Sequence, residues 1–123
     1  MQMTNNEIYT YATQLMSAFQ DTEQKFPVKV NFYFLKNRKL LLDLAREIEQ
    51  SRSEILEEHG VLNDETNQYE FAPEKVDIVN TELTNLFALE QEVNIYKVKI
   101  DNFNDTDSLT TAQMEALMFM IED

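Results

Sequence analysis

From Ile8 onward, apolar residues fall at Tyr11, Ala12, Leu15, Met16 and Phe19, the three-and-four spacing of a single helix face. Just ahead, Thr4-x-x-Glu7 has the form of a capping box, in which hydroxyl and carboxylate each accept from an otherwise unpartnered backbone N–H. Together they predict a helix from about Asn5 to Gln20, ended by the polar run Asp21-Thr22-Glu23-Gln24. Residues Val28 to Leu35 are ambiguous: β-branched and aromatic side chains suit a strand, whereas Val28, Phe32 and Leu35 also fit a helix. Pro27 suits the start of either. The helix is preferred, because Leu41, Leu44, Ala45, Ile48 and Ile55 continue one apolar stripe, with Asp43/Arg46 and Glu49/Arg52 as pairs on its surface. His59-Gly60 supplies a polar last turn and then the residue best able to take a positive φ beyond it. One long helix from Val28 to Glu58 follows, roughly 45 Å at 1.5 Å per residue.

Beyond Gly60, Val61-Leu62 and Tyr69-Glu70-Phe71 flank the turn-rich Asn63-Asp64-Glu65-Thr66-Asn67, which predicts a short hairpin. Pro73, with Glu74 behind it, opens another helix with an apolar stripe at Val76, Val79, Leu83, Leu86 and Phe87, ending near Leu89. Val93 to Ile100 reads as a strand whose alternation changes phase near Tyr96, the mark of a bulge or twist. Thr110-x-x-Gln113 caps a last helix carrying Met114, Leu117, Met118 and Ile121. The expected fold is α+β and mostly helical: three or four helices with a long central helix, and a small two- or three-stranded antiparallel sheet.

Composition narrows what such a fold does. A chain of 123 residues with 43% hydrophobic content builds one domain, 1–123, around one core. No long uncharged apolar run spans a membrane, and the first residues lack the basic and apolar regions of a signal peptide, so the expectation is a cytoplasmic protein. Cysteine is absent, which excludes disulfides, thiolate zinc sites and a cysteine nucleophile. With one glycine, neither a P-loop nor a dinucleotide-binding turn can form. The net charge of −13 is polarised: residues 1–53 carry 7 basic and 6 acidic side chains, residues 54–123 carry 3 and 17. Such a chain repels nucleic acid and anionic membrane, and a protein with a basic surface is its natural complement.

The candidate chemistry is mostly of ordinary structural kind. His59 stands beside Glu57 and Glu58, but neighbours in sequence do not face one another on a helix and no second histidine exists, so a helix-terminal role is expected and no metal or other cofactor. The loop Asp101 to Ser108 offers carboxylates without the Gly and Glu positions of an EF-hand, and reads as an acidic turn before the last helix. Hydrolase motifs are missing and nothing singles out a catalytic pair of carboxylates, so the chain is expected not to be an enzyme. The acidic half supplies the candidate protein-binding residues: Glu54, Glu57, Glu58, Asp64 and Glu65, followed by Glu70, Asp77, Glu82, Glu90 and Glu92. Lys25, Lys29, Lys36 and Lys39, on one side of a helix, form a candidate self-association patch, or else a neutral patch paired within the fold. The Met-rich end from Met114 to Ile121 is read as core.

Phe26-Pro27-Val28-Lys29, Lys36-Asn37, the charged helix through Arg52 to Gly60, Leu83-x-x-Leu86 leading to Glu92-Val93, and the ending from Leu109-Thr110-Thr111 to Met118-Phe119-Met120-Ile121-Glu122-Asp123 resemble a family of short tailed-phage proteins of unknown function. The likeness spans most of residues 4–123. It implies phage origin and action in a bacterial host or in a virion, and it carries over no functional residue. The leading expectation is a non-catalytic inhibitor or adaptor of a host defence or nucleic-acid-handling protein, using nucleic-acid-like charge. The alternative is a virion or assembly component, a ring, neck or chaperone protein, that self-associates.

Overall fold

The computed structural model describes residues 1–19, 26–103 and 109–122. Its elements are β1 (Gln2–Thr4), α1 (Asn5–Ala18), α2 (Val28–His59), β2 (Val61–Asn63), β3 (Gln68–Glu70), α3 (Pro73–Ala88), β4 (Glu90–Glu92), β5 (Val98–Lys99), α4 (Thr111–Leu117) and β6 (Ile121–Glu122). The fold is α+β and mostly helical, as the periodicity predicts. Val28–Leu35 is helix. Both capping boxes form: Thr4 Oγ1 accepts from Glu7 N–H while Glu7 accepts from Thr4 N–H, and Thr110 and Gln113 repeat the arrangement before α4.

The core lies around the first half of α2. Val30, Phe34, Asn37, Leu41 and Ile48 are buried at three-, four- and seven-residue spacing, against Ile8, Ala12, Leu15 and Phe19 of α1 and its cap. Helix α1 runs antiparallel to α2, with the Phe19 ring meeting Phe34 edge to face near one end and the Tyr9 hydroxyl reaching Glu49 at the other. Phe26 and Phe103 extend the Phe19/Phe34 cluster, with ring centroids 5.5 Å (Phe26 to Phe34) and 5.6 Å (Phe26 to Phe103) apart. Leu117, Phe119 and Met120 close the core from the C-terminal end, as the Met-rich ending predicts. Of the apolar residues in that run, only Met118 is largely exposed.

Small two-stranded antiparallel sheets form as expected, and a parallel pair is added to them. Among the described residues three separate pairs form: β1–β4 and β2–β3 antiparallel, and β5–β6 parallel. The expected strand from Val93 to Ile100 is interrupted: residues 93–97 are irregular and Ile100–Asn102 is a 3-10 turn. The reason is geometric. Val93 and Val98 are both buried, and five residues of continuous strand would place them on opposite faces. The phase is reset by Asn37, which is fully buried: its Nδ2 donates to Tyr96 O and its Oδ1 accepts from Tyr96 N–H, both at 2.8 Å. The last helix is shorter than expected, since a 3-10 turn (Met118–Met120) turns Ile121 into β6. None of the described helices is long and apolar enough to cross a membrane.

Candidate functional site: the acidic end of α2 and α3

Past Ile48, no residue of α2 is fully buried, and among the described residues α3 packs beside it and the hairpin reaches it through Tyr69. Gly60 ends it, but with φ −123° and ψ 171° rather than the positive φ expected of a terminal glycine. What demands glycine there is space: a Cβ would lie 2.6 Å from Phe71 Cε1 and 3.0 Å from Leu56 O. The positive φ occurs instead at Asn67 (57°), in the turn between β2 and β3. Asn63 closes that turn, its Oδ1 accepting from Glu65 N–H at 2.9 Å and its Nδ2 donating to Glu70 Oε1 at 2.8 Å. Helix α3 returns antiparallel to α2, bringing Glu82 Oε2 to 2.9 Å from His59 Nε2.

This arrangement gathers eight of the ten acidic residues singled out above: Glu54, Glu57 and Glu58 on the last turns of α2, Asp64, Glu65 and Glu70 in the hairpin, Asp77 and Glu82 on α3. Glu74 joins them. All nine except Glu82 are exposed, and among the described residues none pairs with a lysine or arginine. Apolar side chains are interspersed: Val61 is 74% exposed, and Leu62, Val76 and Ile78 each more than 40%. Tyr69 donates its hydroxyl to Glu57 Oε1 at 3.3 Å. Partial burial first, then the Glu57 carboxylate, pushes its phenol above the ordinary tyrosine value.

Glu90 and Glu92 are placed elsewhere. They lie in β4, at the far end of α3, where Glu92 receives the N-terminal ammonium of Met1 and the Gln2 amide.

The basic stretch occupies the exposed side of the other half of α2. Lys39 pairs with Asp43 at 2.8 Å, and its hydrogen bond holds the Asp43 carboxyl below the usual carboxylate range. Lys29 and Lys36 instead lie over the rings of Tyr33 and Phe32, at 5.7 and 5.4 Å from the centroids. Beside them Val28, Phe32 and Leu35 are exposed. Lys25, and residues 104–108 of the acidic loop, lie outside the described residues.

Sequence spacing did not reveal the partner of His59. The imidazole sits in the last turn of α2, as expected, yet its closest contact is Glu82, 23 positions on, with Glu58 Oε2 at 4.0 Å. Antiparallel packing of α2 on α3 is the only signal that could have linked the two. Comparison with protein-family models, with curated proteins and with solved structures finds no match.

Proposed function

We propose that the chain is a non-catalytic, phage-encoded binding protein that acts in the host cytoplasm as an inhibitor or adaptor, its acidic α2–α3 end docking on a basic surface of a host protein. The observation that carries this reading is the set of eight exposed carboxylates at one end of the molecule, without lysine or arginine partners among the described residues. Like charges held together destabilise a fold, and a cationic partner relieves the repulsion while steering the encounter. Exposed Val61, Leu62, Val76 and Ile78 add the apolar contact that a purely electrostatic surface lacks. Spaced carboxylates on a narrow projection also present charge as nucleic-acid phosphates do, which suits a partner that handles nucleic acid. The non-catalytic part rests on the same exposure: these carboxylates stand in solvent, not in a cleft that excludes water.

The test is affinity capture from bacterial lysate at low salt with three baits: the wild type, an Asp64→Asn/Glu65→Gln/Asp77→Asn variant, and a Glu90→Gln/Glu92→Gln control. The reading expects a protein retained by wild type and control, released by salt and lost with the first variant. Equal retention by all three would rule it out.

A second reading, a self-associating virion or assembly component, is favoured by one observation. Lys29 and Lys36, among exposed Val28, Phe32 and Leu35, lie roughly 30 Å along α2 from the acidic end at 1.5 Å per residue. Unlike surfaces at two ends of one rod suit head-to-tail stacking. Sedimentation equilibrium distinguishes it: salt-screened association that rises with concentration supports stacking, and a monomer throughout, absent from purified virions by mass spectrometry, excludes it.

A further inference from the structure

The buried polar side chains each tie two parts of the fold together. Asn5 donates to Leu86 O and accepts from Gln91, Asn37 clamps Tyr96, and Gln113 donates to Ala18 O. His59 is different. Its ring is nine-tenths buried and aimed at two carboxylates, and among the described residues Nδ1 has no hydrogen-bond partner. We propose that Glu58, His59 and Glu82 hold a divalent transition-metal ion, with zinc as the ion that fits best. This site does not rest on the docking reading, although Glu58 and Glu82 also belong to the acidic end.

His59 Nε2 is 2.9 Å from Glu82 Oε2 and 4.0 Å from Glu58 Oε2, and all three donor atoms lie within 4.8 Å of one another. Zinc bonds to nitrogen and carboxylate oxygen of about 2.0–2.2 Å, arranged tetrahedrally, set donor–donor edges of roughly 3.3–3.6 Å. The two histidine–carboxylate separations straddle that edge. Closing the triangle requires mainly a swing of the Glu58 side chain, which is 69% exposed and holds no other partner among the described residues. Water completes the fourth position.

Charge and donor type agree with geometry. Two carboxylates neutralise a divalent ion, and the carbonyl end of α2, where His59 sits, favours positive charge. An imidazole nitrogen suits zinc and its first-row neighbours, whereas calcium and magnesium prefer all-oxygen sites. Metal on Nε2 leaves the ring proton on Nδ1, and an outer hydrogen bond at that position is typically worth about 10–100-fold in affinity. Without such a partner among the described residues the site binds more weakly than a zinc site whose histidine has an outer shell.

Isothermal titration of the full chain with zinc chloride tests the proposal, with calcium and magnesium chlorides as controls and circular dichroism on each variant. The expected result is one zinc per chain, no heat from calcium or magnesium at the same concentrations, loss of binding in His59→Gln, and at least about tenfold weakening in Glu58→Gln. Glu58→Gln removes only an exposed carboxylate, so its result stands even if His59→Gln fails to fold. Absence of zinc binding to the wild type, or zinc binding unchanged in Glu58→Gln, overturns the proposal. So does zinc binding that persists in a folded His59→Gln, or calcium bound as well as zinc.

Discussion

Replacing Asn37 by alanine removes the clamp that holds residues 93–97 on α2. The side chain is fully buried and makes two hydrogen bonds of 2.8 Å, one to each backbone group of Tyr96. Losing one partner of a buried bond costs about 1–3 kcal/mol, because the group left behind is desolvated and unpaired. Two such losses give about 3 kcal/mol. With an unfolding entropy of about 2.1 cal/mol/K per residue, a chain of this length should lose about 12 °C in Tm. Asn37→Asp separates the two bonds. It keeps an acceptor for Tyr96 N–H but turns a second carboxylate oxygen toward Tyr96 O, so at neutral pH it should be no better than alanine. The aspartyl carboxyl, raised by burial and repulsion, regains a donor only when protonated. Its deficit relative to wild type should therefore be full above the folded pKa and shrink as pH falls through it toward the ordinary carboxylate range. Thermal and urea unfolding followed by circular dichroism give both numbers. A Tm loss under about 3 °C for Asn37→Ala would mean that the clamp does not hold residues 93–97, since two buried bonds cannot be worth so little.

Gly60→Ala should destabilise by about 1–3 kcal/mol, because its Cβ overlaps the Phe71 ring, and Phe71→Leu in the same chain should recover part of that loss in urea unfolding. Thr110→Ala removes one arm of a capping box and should cost about 1 kcal/mol by the same assay, while Thr111→Ala, just inside the helix, serves as the control. The Tyr69 phenol should titrate above ordinary tyrosine in an ultraviolet absorbance titration. Since the protonated form is the one favoured in the fold, its contribution to stability is complete below the unfolded value and is lost as pH rises through the folded one. Glu57→Gln should bring the titration down only part of the way, because burial is the larger cause.

What the sequence discloses about this fold is what local chemistry decides. Thr4 with Glu7 and Thr110 with Gln113 fix two helix starts within four residues each, and both boxes form as written. Val28–Leu35 is helix as preferred, but on another face than the one read: Val28, Phe32 and Leu35 are exposed, and it is Val30, Phe34, Asn37 and Leu41 that the helix buries together. Pairings between distant residues stay hidden. Two-residue strands such as β5 and β6 leave no periodic trace, and the break after Val93 depends on an asparagine 59 positions from Tyr96. Gly60 announces the end of α2, but the ring that makes glycine necessary comes eleven residues later in the hairpin. The acidic end is partly legible, since all nine of its members lie within one stretch from Glu54 to Glu82. Glu90 and Glu92 share the charge but not the location, because α3 carries them to the opposite end.

The acidic end is the surface proposed to engage a partner. The most direct measurement is the binding isotherm of a captured host protein against the wild type, the Asp64→Asn/Glu65→Gln/Asp77→Asn variant and the Glu90→Gln/Glu92→Gln control, repeated at rising salt. Weaker binding and a shallower salt dependence for the first variant alone, with the control matching wild type, is the predicted result. Equal affinities and equal salt slopes for all three would contradict it.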